Sequence, residues 1–157
     1  MTTANTVYSG PASDVKPLRQ ERKINSGVTA YPGYIVTENT SGVWILHAQE
    51  GKGANWRILD MNIEEQKGAT TVLTAGQSAG AFWPAPGQAY NIVVADGETV
   101  TIGSPLTSNA DGTFKVATIT GATPEVVLMY AEEAASPSGS TARVRARVAT
   151  SGYPATA

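Results

Sequence analysis

Short apolar runs separated by turn residues dominate the middle of the chain. Tyr34–Thr37 follows Pro32-Gly33, and Val43–His47 follows Ser41-Gly42. Trp56–Met61 alternates imperfectly. Tyr90–Val94 follows Pro86-Gly87, Val100–Ile102 follows Asp96-Gly97, and Thr113–Val116 follows Asp111-Gly112. Val126–Tyr130 follows Pro124. β-Branched and aromatic runs bounded by Gly, Pro, Asn and Asp predict strands. Their regular spacing predicts a mainly β fold, a single small barrel or sandwich. The cleanest period of two lies at Thr141–Ala149: Arg143, Arg145 and Arg147 fall on one face, and Ala142, Val144, Ala146 and Val148 on the other. Little helix is expected. Met61–Gly68 has room for about two turns, and Glu132–Ala135 for one more.

The ends read differently. Residues 1–23 carry Ser9-Gly10-Pro11 and Lys16-Pro17 with no periodicity, and read as an extended N-terminal arm. Fully extended, such an arm spans about 75 Å. Residues 24–149 form the β domain, and residues 150–157 a loose tail. Charge divides along the same line. Residues 1–26 hold four basic and two acidic side chains, whereas the remainder holds seven basic and eleven acidic ones. A terminus is usually a disordered tail; the sharper reading is an arm that orders on a partner.

Composition narrows the classes. The 157 residues contain no cysteine, which excludes disulfides, thiolate metal sites and thiol nucleophiles. Charged residues make up 15% of the chain, against a usual share of about 25%. A net charge of −2 gives no reason to expect nucleic-acid binding. No stretch approaches the roughly 20 apolar residues of a membrane helix. Met1–Gly10 lacks a basic region followed by an apolar run, so no signal peptide is expected and the protein should stay where it is made.

Reactive motifs fail on context. Gly76-Gln77-Ser78-Ala79-Gly80 matches the hydrolase nucleophile elbow, but the single histidine, His47, lies upstream and Phe82-Trp83-Pro84 does not open a helix. Ser13-Asp14-Val15-Lys16 has no companion motif. Glu50–Asn55 lacks phosphate-loop spacing, and Asp96-Gly97 and Asp111-Gly112 read as hairpin turns rather than calcium loops. One histidine and no cysteine leave few metal ligands. Trp44, Trp56 and Trp83 sit in apolar runs, where core packing outweighs a sugar platform. Neither a catalytic residue, a metal nor a cofactor is expected.

One stretch carries a family likeness. Gly97-Glu98-Thr99-Val100-Thr101-Ile102-Gly103-Ser104-Pro105-Leu106, followed by Asp111-Gly112-Thr113-Phe114, resembles the G-x-x-V-x-x-G-x-x-L … D-G-x-apolar pattern of phage head decoration (cement) proteins. Ala131-Glu132-Glu133 resembles the A-x-E strand end of such proteins, and Arg143–Val148 their terminal basic strand. The resemblance spans Gly87–Val148, and the long arm and Trp-rich middle depart from it. It implies a β-tulip-like barrel that binds the major capsid protein on the outer surface of the virion at capsomer junctions. It also implies a homotrimer, assembled in a bacterial cytoplasm, that stabilises the head against DNA pressure. In the arm, Val15, Leu18, Arg19, Arg22, Lys23 and Ile24 are candidates for shell contact. Arg143, Arg145 and Arg147 are a second candidate interface. Tail or fibre modules and carbohydrate-binding adhesin-like modules remain as alternatives.

Overall fold

The computed structural model describes residues 18–61 and 68–150. Twelve strands run in order: β1 Arg19–Lys23, β2 Thr29–Ala30, β3 Ile35–Glu38, β4 Trp44–Leu46, β5 Arg57–Leu59, β6 Leu73–Thr74, β7 Ser78–Phe82, β8 Ala89–Val94, β9 Pro105–Ser108, β10 Phe114–Val116, β11 Met129–Ala131 and β12 Ala142–Val148. No helix occurs among the described residues. The fold is mainly β, as the spacing of turn residues predicts.

The C-terminal half closes into a barrel in the order β10-β8-β12-β11-β9, sealed by antiparallel β9 and β10. Strand β12 does most of the joining, with six register pairs to β8, from Ala142↔Val94 to Arg147↔Ala89. Its period of two sorts the side chains as expected: Val144, Ala146 and Val148 are buried. The N-terminal half forms a five-stranded sheet, β1-β7-β5-β3-β4. A bridge from Ile24 to Trp44 brings its first and last strands together. Strands β2 and β6 add a small ribbon.

Both faces of the five-stranded sheet are covered. In β5, Ile58 enters a core shared with the barrel, alongside Tyr90, Phe114, Leu106 and Met129. The next residue, Leu59, enters a second core with Trp44, Val36, Ile24 and Leu73. A strand buried on both faces shows no clean alternation, which explains the imperfect pattern at Trp56–Met61.

Several expectations are corrected. Arg19–Lys23 belongs to the sheet rather than the arm, pairing antiparallel with β7 from Arg19↔Phe82 to Lys23↔Ser78. Gln20, Arg22 and Ile24 face the same side as Ala81 and Ala79, and Arg19 on the other side finds Asp60 at 2.9 Å. Glu132–Ala135 is not helical: Ala135 bridges to Val100, and the Glu132 carboxylate is held by Arg145 and Arg147. Val100–Ile102 makes only that bridge before a turn closed by the Thr101 N–H on Ser104 Oγ, at 3.0 Å. The Met61–Gly68 helix falls largely on residues outside those described, as do most of the arm and the tail.

Gly33 joins the two halves. It has φ of +91°, and an added Cβ would lie 2.8 Å from the Asn91 carbonyl oxygen and 2.9 Å from Arg143 Nη1. Gly33→Ala therefore combines backbone strain with overpacking, and should cost roughly 2–4 kcal/mol. The urea midpoint checks this. A loss under about 0.5 kcal/mol, the scale of an ordinary surface change, would mean the halves can separate freely.

Candidate docking surface

The outer edge of the five-stranded sheet is β1, and its residues were expected to contact a partner. The structure gives each a definite place. Arg19 lies over Gly80, where a Cβ would come within 2.2 Å of its guanidinium, and its Nε donates to Asp60 Oδ2 at 2.9 Å. Burial raises the Asp60 carboxyl above its usual value, opposed by the Met61 backbone N–H and by Arg19. Arg22 Nε donates to Glu38 Oε1 at 2.9 Å. Lys23 is exposed. Ile24 is taken into the second core at 2% exposure, so its side chain is not free for a partner. Leu18 is 68% exposed, and Val15 lies outside the described residues.

Leu18 leads to a cluster that sequence reasoning did not assemble. Its carbonyl accepts the Trp83 N–H at 2.8 Å. The Trp83 ring rests on the Arg57 guanidinium, whose Cζ is 2.9 Å from the ring centroid. Arg57 is buried, and its Nη1 donates to the Trp56 carbonyl at 2.9 Å. Burial pulls its pKa down while Glu38 pushes it up; a guanidinium stays cationic throughout. Ring, cation, carboxylate and second cation thus run Trp83, Arg57, Glu38, Arg22 over one face of the sheet. No spacing in the sequence signals this, because its members come from four strands or strand ends.

The three arginines of β12 do not form a free basic face. Arg143 donates from Nη2 to the Pro32 carbonyl at 2.7 Å and to the Ala69 carbonyl, tying barrel to sheet. Arg145 and Arg147 converge on Glu132 at 2.8 and 2.6 Å. Arg147 also donates to the Gly87 carbonyl at 2.6 Å. The acidic partner of this strand therefore lies within the chain. Tyr130, opposite Arg147 in the register, is 42% exposed beside Pro105. Ile102 and Ile119 are the other exposed apolar side chains of the barrel half.

Ser78 sits in β7, paired with Lys23, without the strand–turn–helix setting of a nucleophile elbow. No group of three or more potential metal ligands occurs among the described residues. His47 is 2% exposed, and its Nδ1 lies 2.8 Å from Ser108 Oγ at the junction of the two halves. Burial lowers its pKa, with partial opposition from the Ala54 backbone. The fold therefore favours the neutral ring. Above the ordinary value of about 6.5, His47 adds no pH dependence. As pH falls through that value the unfolded chain takes up a proton that the folded one refuses. Stability then drops by at most about 1.4 kcal/mol per pH unit until the folded pKa is passed. It is the only histidine, so between pH 8 and 6 the urea midpoint should fall further in the parent than in His47→Gln. Equal slopes would contradict this account.

No protein-family model matches the chain, and no curated protein matches it. Among solved structures, it is similar to the head fibre gp8.5 N base of bacteriophage phi29. The TM-score is 0.52 at 15% identity, covering 87% of this chain and 99% of that one. At that identity the likeness is one of fold. It takes in both halves of the molecule, since neither alone amounts to 87% of the chain.

Proposed function

We propose that this protein is a non-enzymatic structural component of a phage virion, carried on the outer surface of the head. The observation that carries the reading is the shared fold, which extends over nearly the whole of a head fibre base. The decoration-protein pattern at Gly97–Phe114 supports it independently, because it rests on residues rather than on backbone shape.

The finer reading is a decoration protein. It binds the major capsid protein at capsomer junctions, as a trimer, and opposes the outward push of packaged DNA. Each copy that binds the assembled shell, and not its separated parts, stabilises the shell by mass action. Residues 1–17 and Leu18 supply the attachment. β1 is fixed in the sheet, so it anchors one end of that segment while the other reaches the shell.

A second reading is favoured by the structural neighbour's being a head fibre base: the chain forms the base of a fibre that projects from the head.

The test mixes purified protein with heads that lack it. The proposal expects saturable binding and heads that rupture at a higher temperature. Heads that bind no protein at micromolar concentration would overturn it. Occupancy at every capsomer junction favours decoration, whereas a few projecting sites favour the fibre base. Sedimentation of the free protein tests the trimer.

A further inference from the structure

We propose that the outward face of the Trp83 indole is a subsite for one pyranose ring of a neutral or acidic polysaccharide. This goes beyond attachment to a head and does not depend on it.

Trp83 is 43% exposed, an unusual position for the largest apolar side chain. It is nevertheless held in place. Its backbone N–H is fixed on Leu18, and one ring face is seated on a guanidinium that is itself anchored and buried. Arg57 Nε has no hydrogen-bond partner in this setting. A buried cation with an unpaired donor is costly, so the ring that covers it has reason to stay. The result is a rigid, flat platform with a single open face.

The surroundings suit a sugar better than a protein. Gln20 shares the Trp83 side of the sheet by register, and Glu38, close enough to act electrostatically on Arg57, supplies a carboxylate acceptor on that side. A pyranose offers an apolar C–H face for the ring and a rim of hydroxyls for those polar groups. Protein interfaces want a broad apolar centre. Among the described residues the sheet half exposes only Leu18 and Tyr31 besides Trp83 as large apolar side chains, and Ile102, Ile119 and Tyr130 belong to the barrel half. Arg57 also sets the charge of the ligand. A cation beneath the ring offsets the negative face that would otherwise attract a second cation, so neutral and uronic-acid sugars are preferred over amino sugars bearing an ammonium.

The experiment probes the full chain against immobilised bacterial capsular and O-antigen polysaccharides, both neutral and uronic-acid types, with chitosan as the cationic control. At least one neutral or acidic polysaccharide should bind saturably and more tightly than chitosan. Trp83→Ala should weaken that binding about tenfold, and Trp83→Tyr should retain most of it. Thermal midpoints of both variants establish that they fold. Absence of binding at millimolar saccharide, a preference for chitosan, or undiminished binding by folded Trp83→Ala would overturn the proposal.

Discussion

A chain lacking residues 1–17 should fold normally and lose its hold on heads, whereas a chain lacking residues 1–23 should fail to fold. The two truncations differ by Leu18 and β1. Removing β1 strips β7 of five register partners and leaves Ala79 and Ala81 at a new sheet edge. It also removes Arg19 from Asp60, which is 3% exposed. Deleting one partner of a buried ion pair costs about 3–5 kcal/mol, because the other charge stays behind uncompensated. A domain of this size has about 5–15 kcal/mol in total, so lost strand pairing on top of that loss leaves little. The shorter truncation touches none of these contacts. Its thermal midpoint should stay within a few degrees of the parent's, while its affinity for heads falls at least tenfold, or about 1.4 kcal/mol. Circular dichroism and head co-sedimentation read the two effects separately. Full occupancy by the shorter truncation would remove the attachment role from residues 1–17.

Trp44→Ala should be the most damaging single substitution in the second core. Trp44 is fully buried, its Nε1 donates to the Ala79 carbonyl at 2.8 Å, and its backbone bridges to Ile24. It links β4 to β7 through the interior and to the residue after β1 through the backbone. Truncating a buried tryptophan costs about 3–5 kcal/mol, and the Ala79 carbonyl loses its donor as well. The expected fall in thermal midpoint is roughly 10–15 °C. Trp44→Phe keeps most of the volume and should lose about 1–3 kcal/mol, mainly through that unpaired carbonyl. Urea unfolding followed by near-ultraviolet circular dichroism measures both. A loss below about 1 kcal/mol in Trp44→Ala would mean the second core contributes little to the cooperative fold.

The barrel half was legible in the sequence because its strands keep their signals. Asp96-Gly97 and Asp111-Gly112 mark turns, and Ala142–Val148 alternates cleanly because one face of β12 is core and the other carries arginines. The sheet half was harder to read. β7 is Ser-Ala-Gly-Ala-Phe, a poor strand by propensity. Its small residues are there because the Trp44 indole and the Arg19 guanidinium pack across it from opposite faces. β1, Arg-Gln-Glu-Arg-Lys, looks like a solvated arm because its charges are satisfied by Asp60 and Glu38, distant in sequence. Charges on an outer strand also discourage unwanted pairing.

The candidate surface follows the same logic. Arg19, Arg22 and the three arginines of β12 were visible as residue types. Their engagement with Asp60, Glu38, Glu132 and the Pro32 carbonyl was not, since each contact joins separate strands or loops. The Trp83–Arg57 stack was hidden for a further reason. Tryptophan in an apolar run is usually core, and Phe82, its neighbour, is. Alternation along β7 turns Trp83 to the opposite side, toward the exposed end of the sheet.

The most direct measurement is electron cryomicroscopy of heads incubated with the purified chain, compared with the same heads untreated. The account predicts added density on the outer surface, fitted by barrel and sheet together, with the β1 side connected to the shell. Heads whose outer surface is identical with and without the protein would contradict it.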